Sequence, residues 1–174
     1  MEFVFETIYN QKALTAMVKG VRKTARKKRT KRSRVFGGIV IGMAVLLMLS
    51  DIKDGFELSA NIVVTLLAVL AILAVFVFED SINAYIARKR MLPGTEKSKV
   101  VFREDGFYSE TEVGNTEWKY DRIHMIAEME DYFVFVFGVS HAQVYDKRSL
   151  LGGTIDEFRK FLLEMTGKTI VNIK

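Results

Sequence analysis

The residues able to do chemistry are few. The chain carries two histidines, His124 and His141, and no cysteine, which removes disulfides, thiolate nucleophiles and cysteine metal sites. A zinc or other metal centre would need further ligands at fixed spacing, and no HExxH pattern accompanies either histidine. Glu128, Glu130 and Asp131 bring carboxylates close together, the kind of grouping that can share a proton in acid–base work. The same residues suit a polar hairpin turn between two apolar stretches, and a surface turn is the expected reading. Gly152-Gly153 lacks the lysine and the spacing of a phosphate-binding loop. The expectation is a protein that is not an enzyme, with no catalytic residue, no metal and no cofactor.

Charge is the stronger feature. Lys19, Arg22, Lys23, Arg26, Lys27, Lys28, Arg29, Lys31, Arg32 and Arg34 form a belt in which no acidic residue falls between positions 11 and 34. The chain as a whole has 26 Lys and Arg against 21 Asp and Glu, so without this belt it would be acidic. Three roles fit such a belt. It can set membrane topology, since cytoplasmic flanks of spans are rich in Lys and Arg. It can hold anionic lipid, at ~1 kcal/mol for each basic residue near the surface. It can neutralise nucleic-acid phosphates, but no aromatic residue lies between 11 and 34 to stack on a base. Topology and anionic-lipid contact are therefore expected, and nucleic acid is not.

The elements that must position the belt are two uncharged apolar runs, 35–50 and 60–78. At 1.5 Å per residue, 19 helical residues reach ~28 Å, close to the ~30 Å hydrocarbon thickness of a bilayer. The shorter first run can be extended by the snorkelling stems of Arg32 and Arg34. The pattern predicts a transmembrane helical hairpin in the cell membrane, a multi-pass protein of two spans. The belt precedes the first span and Arg88, Lys89 and Arg90 follow the second, whereas the loop 51–59 has Lys53 against Asp51, Asp54 and Glu57. Both termini are expected on the cytoplasmic side and 51–59 outside. Gly38 and Gly42 in the first span, with Ala68 and Ala71 in the second, offer small residues for close helix packing, either within the hairpin or between two copies of the chain. Arg32 and Arg34 would meet Glu79 and Asp80 at one bilayer face as interfacial ion pairs of ~1 kcal/mol at most.

Outside the spans the sequence reads as a small α+β domain. Residues 1–9 hold an alternating stretch that predicts a strand, and 10–34 a basic helix with Asn10 as its cap, running into the membrane. Residues 79–94 continue the second helix to a stop at Pro93-Gly94. From 95 to 174 strands alternate with turns: KVVFRE and FYSETEV flank Asp105-Gly106, a strong hairpin signal, and YFVFVFG is apolar on both faces. Thr154 with Glu157 makes a capping box that opens a helix over 154–166. A strand from 1–9 is expected to join this sheet, with the hairpin inserted between the two pieces.

This layout resembles the YcxB-like family of small bacterial membrane proteins. The resemblance rests on Phe102 with Asp105-Gly106, Glu117-Trp118 with Tyr120 and Ile123, and Glu130-Asp131-Tyr132-Phe133. It continues through Val144-Tyr145-Asp146-Lys147-Arg148 and ends at Phe158. It implies a pleckstrin-homology-like (PH-like) antiparallel β domain with one C-terminal helix, in a bacterial inner membrane, and brings no catalytic residue with it. A domain that reads lipid headgroups needs a basic pocket, yet residues 91–174 are net acidic, with Lys147-Arg148 their one basic pair near a strand end. The expected role is binding or scaffolding of a protein partner in the membrane, or self-association. The alternative is a small oligomeric transporter or channel, or its accessory subunit.

Overall fold

The computed structural model describes residues 2–53 and 60–174; most of the expected loop 51–59 lies outside them. Strand β1 (Phe3–Ile8) buries Phe3, Phe5 and Thr7 and turns Glu6 and Ile8 outward, the period of two that a half-covered strand imposes. It pairs antiparallel with β2 (Lys97–Arg103), Phe3 opposite Phe102 and Ile8 opposite Lys97. The segments on either side of the two long helices thus form one sheet. β2 returns as β3 (Gly106–Thr111), with Arg103 opposite Gly106. The two-residue turn is therefore Glu104-Asp105, and Gly106 opens the next strand, where a Cβ would stand 2.6 Å from the Trp118 carbonyl oxygen. The expected single strand FYSETEV ends at Thr111, and the chain turns at Glu112-Val113 into β4 (Gly114–Trp118).

The second sheet is ordered β7-β6-β5-β8, from β5 (Met125–Glu128), β6 (Tyr132–Val136), β7 (Ala142–Asp146) and β8 (Ile170–Asn172). Its neighbours are antiparallel except β8, which runs parallel to β5. Aromatic rings fill the space between the sheets. Phe5, Phe102 and Phe133 each lie within 5.3 Å of the Phe158 ring, centroid to centroid. Phe158 belongs to α4 (Ile155–Thr166), which closes that end of the sandwich. The helix begins in a reciprocal capping box, Thr154 N donating to Glu157 Oε2 and Glu157 N to Thr154 Oγ1, and ends at Gly167 with φ 63°.

All five residues of β6 are buried because it is covered twice. Phe133 and Phe135 face the aromatic core, while Tyr132, Val134 and Val136 meet Ala13, Ala16 and Val21 of α1 (Gln11–Lys23). Asn10 caps that helix, its side chain accepting from Ala13 N at 2.9 Å. Gly20 permits the close approach: a Cβ there would be 2.8 Å from Val134 Cγ1.

The basic stretch 10–34 is not one helix. Thr24 N and Thr24 Oγ1 both donate to Gly20 O, Arg26 N donates to Val21 O, and a new helix, α2 (Lys27–Lys53), starts after this turn. Docking α1 flat on the sheet and sending α2 along its neighbour α3 (Ala60–Lys89) requires two directions, which one straight rod cannot supply. α2 and α3 are each long and apolar enough to cross a membrane, with 6% of each apolar window buried. Their less exposed positions are Gly37, Ile41, Ala44 and Met48 on one helix and Ile62, Thr65, Val69, Ile72 and Phe76 on the other. These alternate by three and four, the seam of a left-handed helix pair.

Candidate functional site at the helix–domain junction

α3 runs past its apolar part as a stalk, and α1 lies along it with Ala84 fully buried between them. At one end of α1, Gln11 Nε2 donates to Ser81 O at 2.9 Å. At the other, Arg22 grips Asp80 with two parallel hydrogen bonds, Nε to Oδ1 and Nη2 to Oδ2, both 2.6 Å. The two side chains are 12% and 16% exposed. This fork geometry suits a guanidinium and a carboxylate, and charge assistance makes such bonds strong. Glu79 sits between two cations, 3.9 Å from Arg22 Nε and 3.8 Å from Arg34 Nη2.

Of the expected ion pairs, Arg34–Glu79 therefore forms, whereas Asp80 is taken by Arg22, and Arg32 makes no ion pair among the described residues. Arg32 instead borders a shallow groove with Lys28 and Lys31, which passes directly into Val35, Phe36 and Ile39. Positions 28, 32, 35 and 39 recur at helical spacing, so one face of α2 changes from cationic to apolar within a single turn. Elsewhere in the belt, Arg26 Nε donates to Val139 O at 2.6 Å and Lys19 is half-buried. Lys23, Lys27, Lys28, Arg29 and Lys31 are exposed, with no ion pair among the described residues.

Of the two expected uses of the small residues, packing within the hairpin does not fall on them. Nothing among the described residues lies within 4 Å of a Cβ built on Gly38 or Gly42, and Ala68 and Ala71 are exposed. Gly37 is the glycine on the seam, where a Cβ would fall 2.2 Å from Phe76 Cζ. The physical reason is phase: the seam passes through 37, 41 and 44, which turns 38 and 42 away from α3.

The residues weighed for chemistry are dispersed. His124 is exposed just before β5, and His141 packs its ring 5.5 Å from Trp118. No cluster of metal-ligating side chains occurs among the described residues. Glu128 is not a surface-turn residue. It is 5% exposed and accepts from Lys147 Nζ at 2.5 Å and from Arg159 Nε at 3.0 Å. Burial pushes its carboxyl up, but the bonds to Arg159 and Lys147 outweigh it and hold the group below the usual carboxylate range. Asp131 pairs with Lys12 of α1 at 2.5 Å. Arg148 forks onto Asp146, so Lys147 and Arg148 are both engaged within the domain.

Arg22 and Glu128 are the residues that sequence reasoning assigned too little. Their partners lie far along the chain and become neighbours only when α1 folds back on α3 and α4 docks on the sheet. Comparison of the chain with protein-family models, with curated proteins and with solved structures finds no match.

Proposed function

We propose that this is an integral membrane protein of two spans that holds a PH-like binding or scaffolding domain against the cytoplasmic membrane face, without enzymatic activity. The observation that carries the reading is the pairing of β1 with β2 across the two apolar helices. A sheet built from both flanks requires α2 and α3 to leave and return on one side, and their apolar surfaces have almost no protein cover. In water such surface would drive association or aggregation; in hydrocarbon it is the surface required. The Lys28–Arg32 face that turns apolar at Val35 fits the boundary between anionic headgroups and acyl chains.

A sheet of four strands, a second of three plus a short parallel addition, and a helix over one open end support the PH-like reading and the YcxB-like resemblance. Engagement of Lys147 and Arg148 by acidic neighbours favours a protein partner or a second copy over a headgroup as the domain's target. Thr65 Oγ1 donates to Asn61 O of its own helix at 2.8 Å, so this seam hydroxyl is already satisfied. That favours binding over transport, which calls for polar groups free to line a path.

The chain has no cysteine, so Asp54→Cys creates a unique thiol. A membrane-impermeant maleimide should label it from outside intact cells, and alkaline carbonate should leave the protein in the membrane fraction. Labelling only after cell rupture, or carbonate release, would overturn the proposal.

A further inference from the structure

We infer that the end of the β-sandwich opposite α4 is a binding cavity for a small oxyanion carrying a short apolar body. A cavity of about 630 Å³ opens there between β2–β4, β7, α1 and the end of α3. The inner face of the first sheet changes character at this level. Phe3 and Phe5 give way to Thr7 on β1, Val100 and Phe102 to Ser98 on β2, and Phe107 to Ser109 on β3, all of them buried. Thr7 stands opposite Ser98 in the register, and Val100 opposite Ser109. Thr7 Oγ1 accepts from Asp146 N at 3.1 Å, whereas Ser98 and Ser109 line the cavity, and burying hydroxyls without partners is unfavourable.

Most polar groups around the cavity are hydroxyls, amides and an imidazole that can donate or accept, and two, Trp118 and Arg90, can only donate. Trp118 Nε1–H, which can only donate, is buried with no acceptor among the described residues. Its indole is held by stacking on Phe137, with ring centroids 4.6 Å apart. Ser98 is 2% exposed, and its hydroxyl lies beside the Tyr9 phenol, which is within its reach as a hydrogen-bond partner. Gln143 shares a hydrogen bond with the Tyr145 hydroxyl at 2.6 Å, which leaves one end of its amide uncommitted. Arg90, just past the end of α3, supplies a cation at the rim, and no carboxylate lines the cavity among the described residues. Met17 and Met91 form an apolar wall. A buried donor left unsatisfied is costly, so the occupant that fits is rich in acceptors, anionic and partly apolar. The inference concerns the cavity alone and does not depend on whether α2 and α3 cross a bilayer.

Trp118 is the only tryptophan in the chain, so its fluorescence reports on the cavity. Full-length protein in phosphatidylcholine nanodiscs would be titrated with hexanoate, and in parallel with hexylamine and 1-hexanol. Hexanoate should give a saturable change in emission that the amine and the alcohol do not reproduce. Arg90→Gln should weaken it by roughly tenfold, the usual scale for one hydrogen bond to a charged group. Ser98→Ala, a small change in a buried hydroxyl, should weaken it too while leaving the unliganded emission unchanged. Absence of saturation with hexanoate, an equal response to all three probes, or an unchanged response in Arg90→Gln would overturn the assignment. The same titration in discs containing phosphatidylglycerol separates the sources of the oxyanion. Emission already shifted before hexanoate is added, in an Arg90-dependent way, assigns the site to a lipid headgroup, and an unshifted start with the same titration assigns it to a soluble acid.

Discussion

Replacing Asp80 by asparagine keeps the side-chain shape and removes the charge that Arg22 grips, so it isolates the clamp between α1 and α3. Losing one partner of a buried pair costs about 3–5 kcal/mol because the other charge is left uncompensated. Arg22 and Asp80 retain 12% and 16% exposure, and Glu79 lies 3.9 Å from Arg22 Nε, so some of that charge finds water or a second carboxylate. The expected coupling is then about 2–3 kcal/mol, below the fully buried case. The contact holds α1 in place, so the loss should appear as local opening of α1 rather than global unfolding. At tenfold per 1.4 kcal/mol, amide exchange in α1 should accelerate by roughly 25- to 150-fold. The assay is hydrogen exchange by mass spectrometry on the full chain in nanodiscs, for Asp80→Asn, Arg22→Gln and the double variant. Arg32→Gln, which removes a cation that makes no ion pair among the described residues, should leave α1 unchanged. Additive effects in the double variant, or single variants within about threefold of the parent, would refute the clamp.

Glu128→Gln should lower the domain's stability at neutral pH by about 2–4 kcal/mol, since Lys147 is left with 12% exposure and no counter-charge while Arg159, at 41%, can turn to water. Glu128 is held below its ordinary value of 4.5, so its contribution is complete above that pH and is lost as pH falls through the lowered value; urea midpoints followed by Trp118 emission should differ fully between parent and variant at pH 7, and the gap should start to narrow only below pH 4.5. Gly20→Ala gains about 1 kcal/mol of helix propensity but forces a methyl to 2.8 Å from Val134 Cγ1, overpacking worth about 1–3 kcal/mol, so it should destabilise on balance, with Val134→Ala restoring the loss in thermal melts. Gly37→Leu should drive α2 and α3 apart at Phe76, read as a longer inter-helix spin-label distance. Gly38→Leu and Gly42→Leu should leave that distance unchanged, and dissociation of a dimer on size exclusion would assign those two glycines to a second copy.

Local chemistry was legible where partners lie close in sequence. The capping box at Thr154 and Glu157, the Asn10 cap and the period of two in β1 each need only a few residues to be recognised. The uncharged runs were equally plain, because their hydropathy does not depend on what covers them. Long-range choices were harder. The phase of the α2–α3 seam depends on which face each helix turns to the other, and a small-residue motif at 38 and 42 carries no information on that. The break at 24–26 follows from α1 docking on β6, a contact set by Gly20 and Val134. β8 was missed because Ile170–Asn172 is too short to show an alternation, and it acquires strand geometry only from β5 beside it. Glu128 read as one carboxylate among several until Arg159 and Lys147 arrived from elsewhere in the chain.

The pairing of Phe3 with Phe102 joins positions about a hundred residues apart, and that separation dictates an order of assembly. When the first strand leaves the ribosome its aromatic face has nowhere to go, and it stays without a neighbour until both long helices and β2 have been made. Closure of the sheet is thus a late event that only a chain with its helices correctly folded back can complete. A mis-threaded chain would expose a phenylalanine-rich edge, the sort of surface that quality-control proteases recognise.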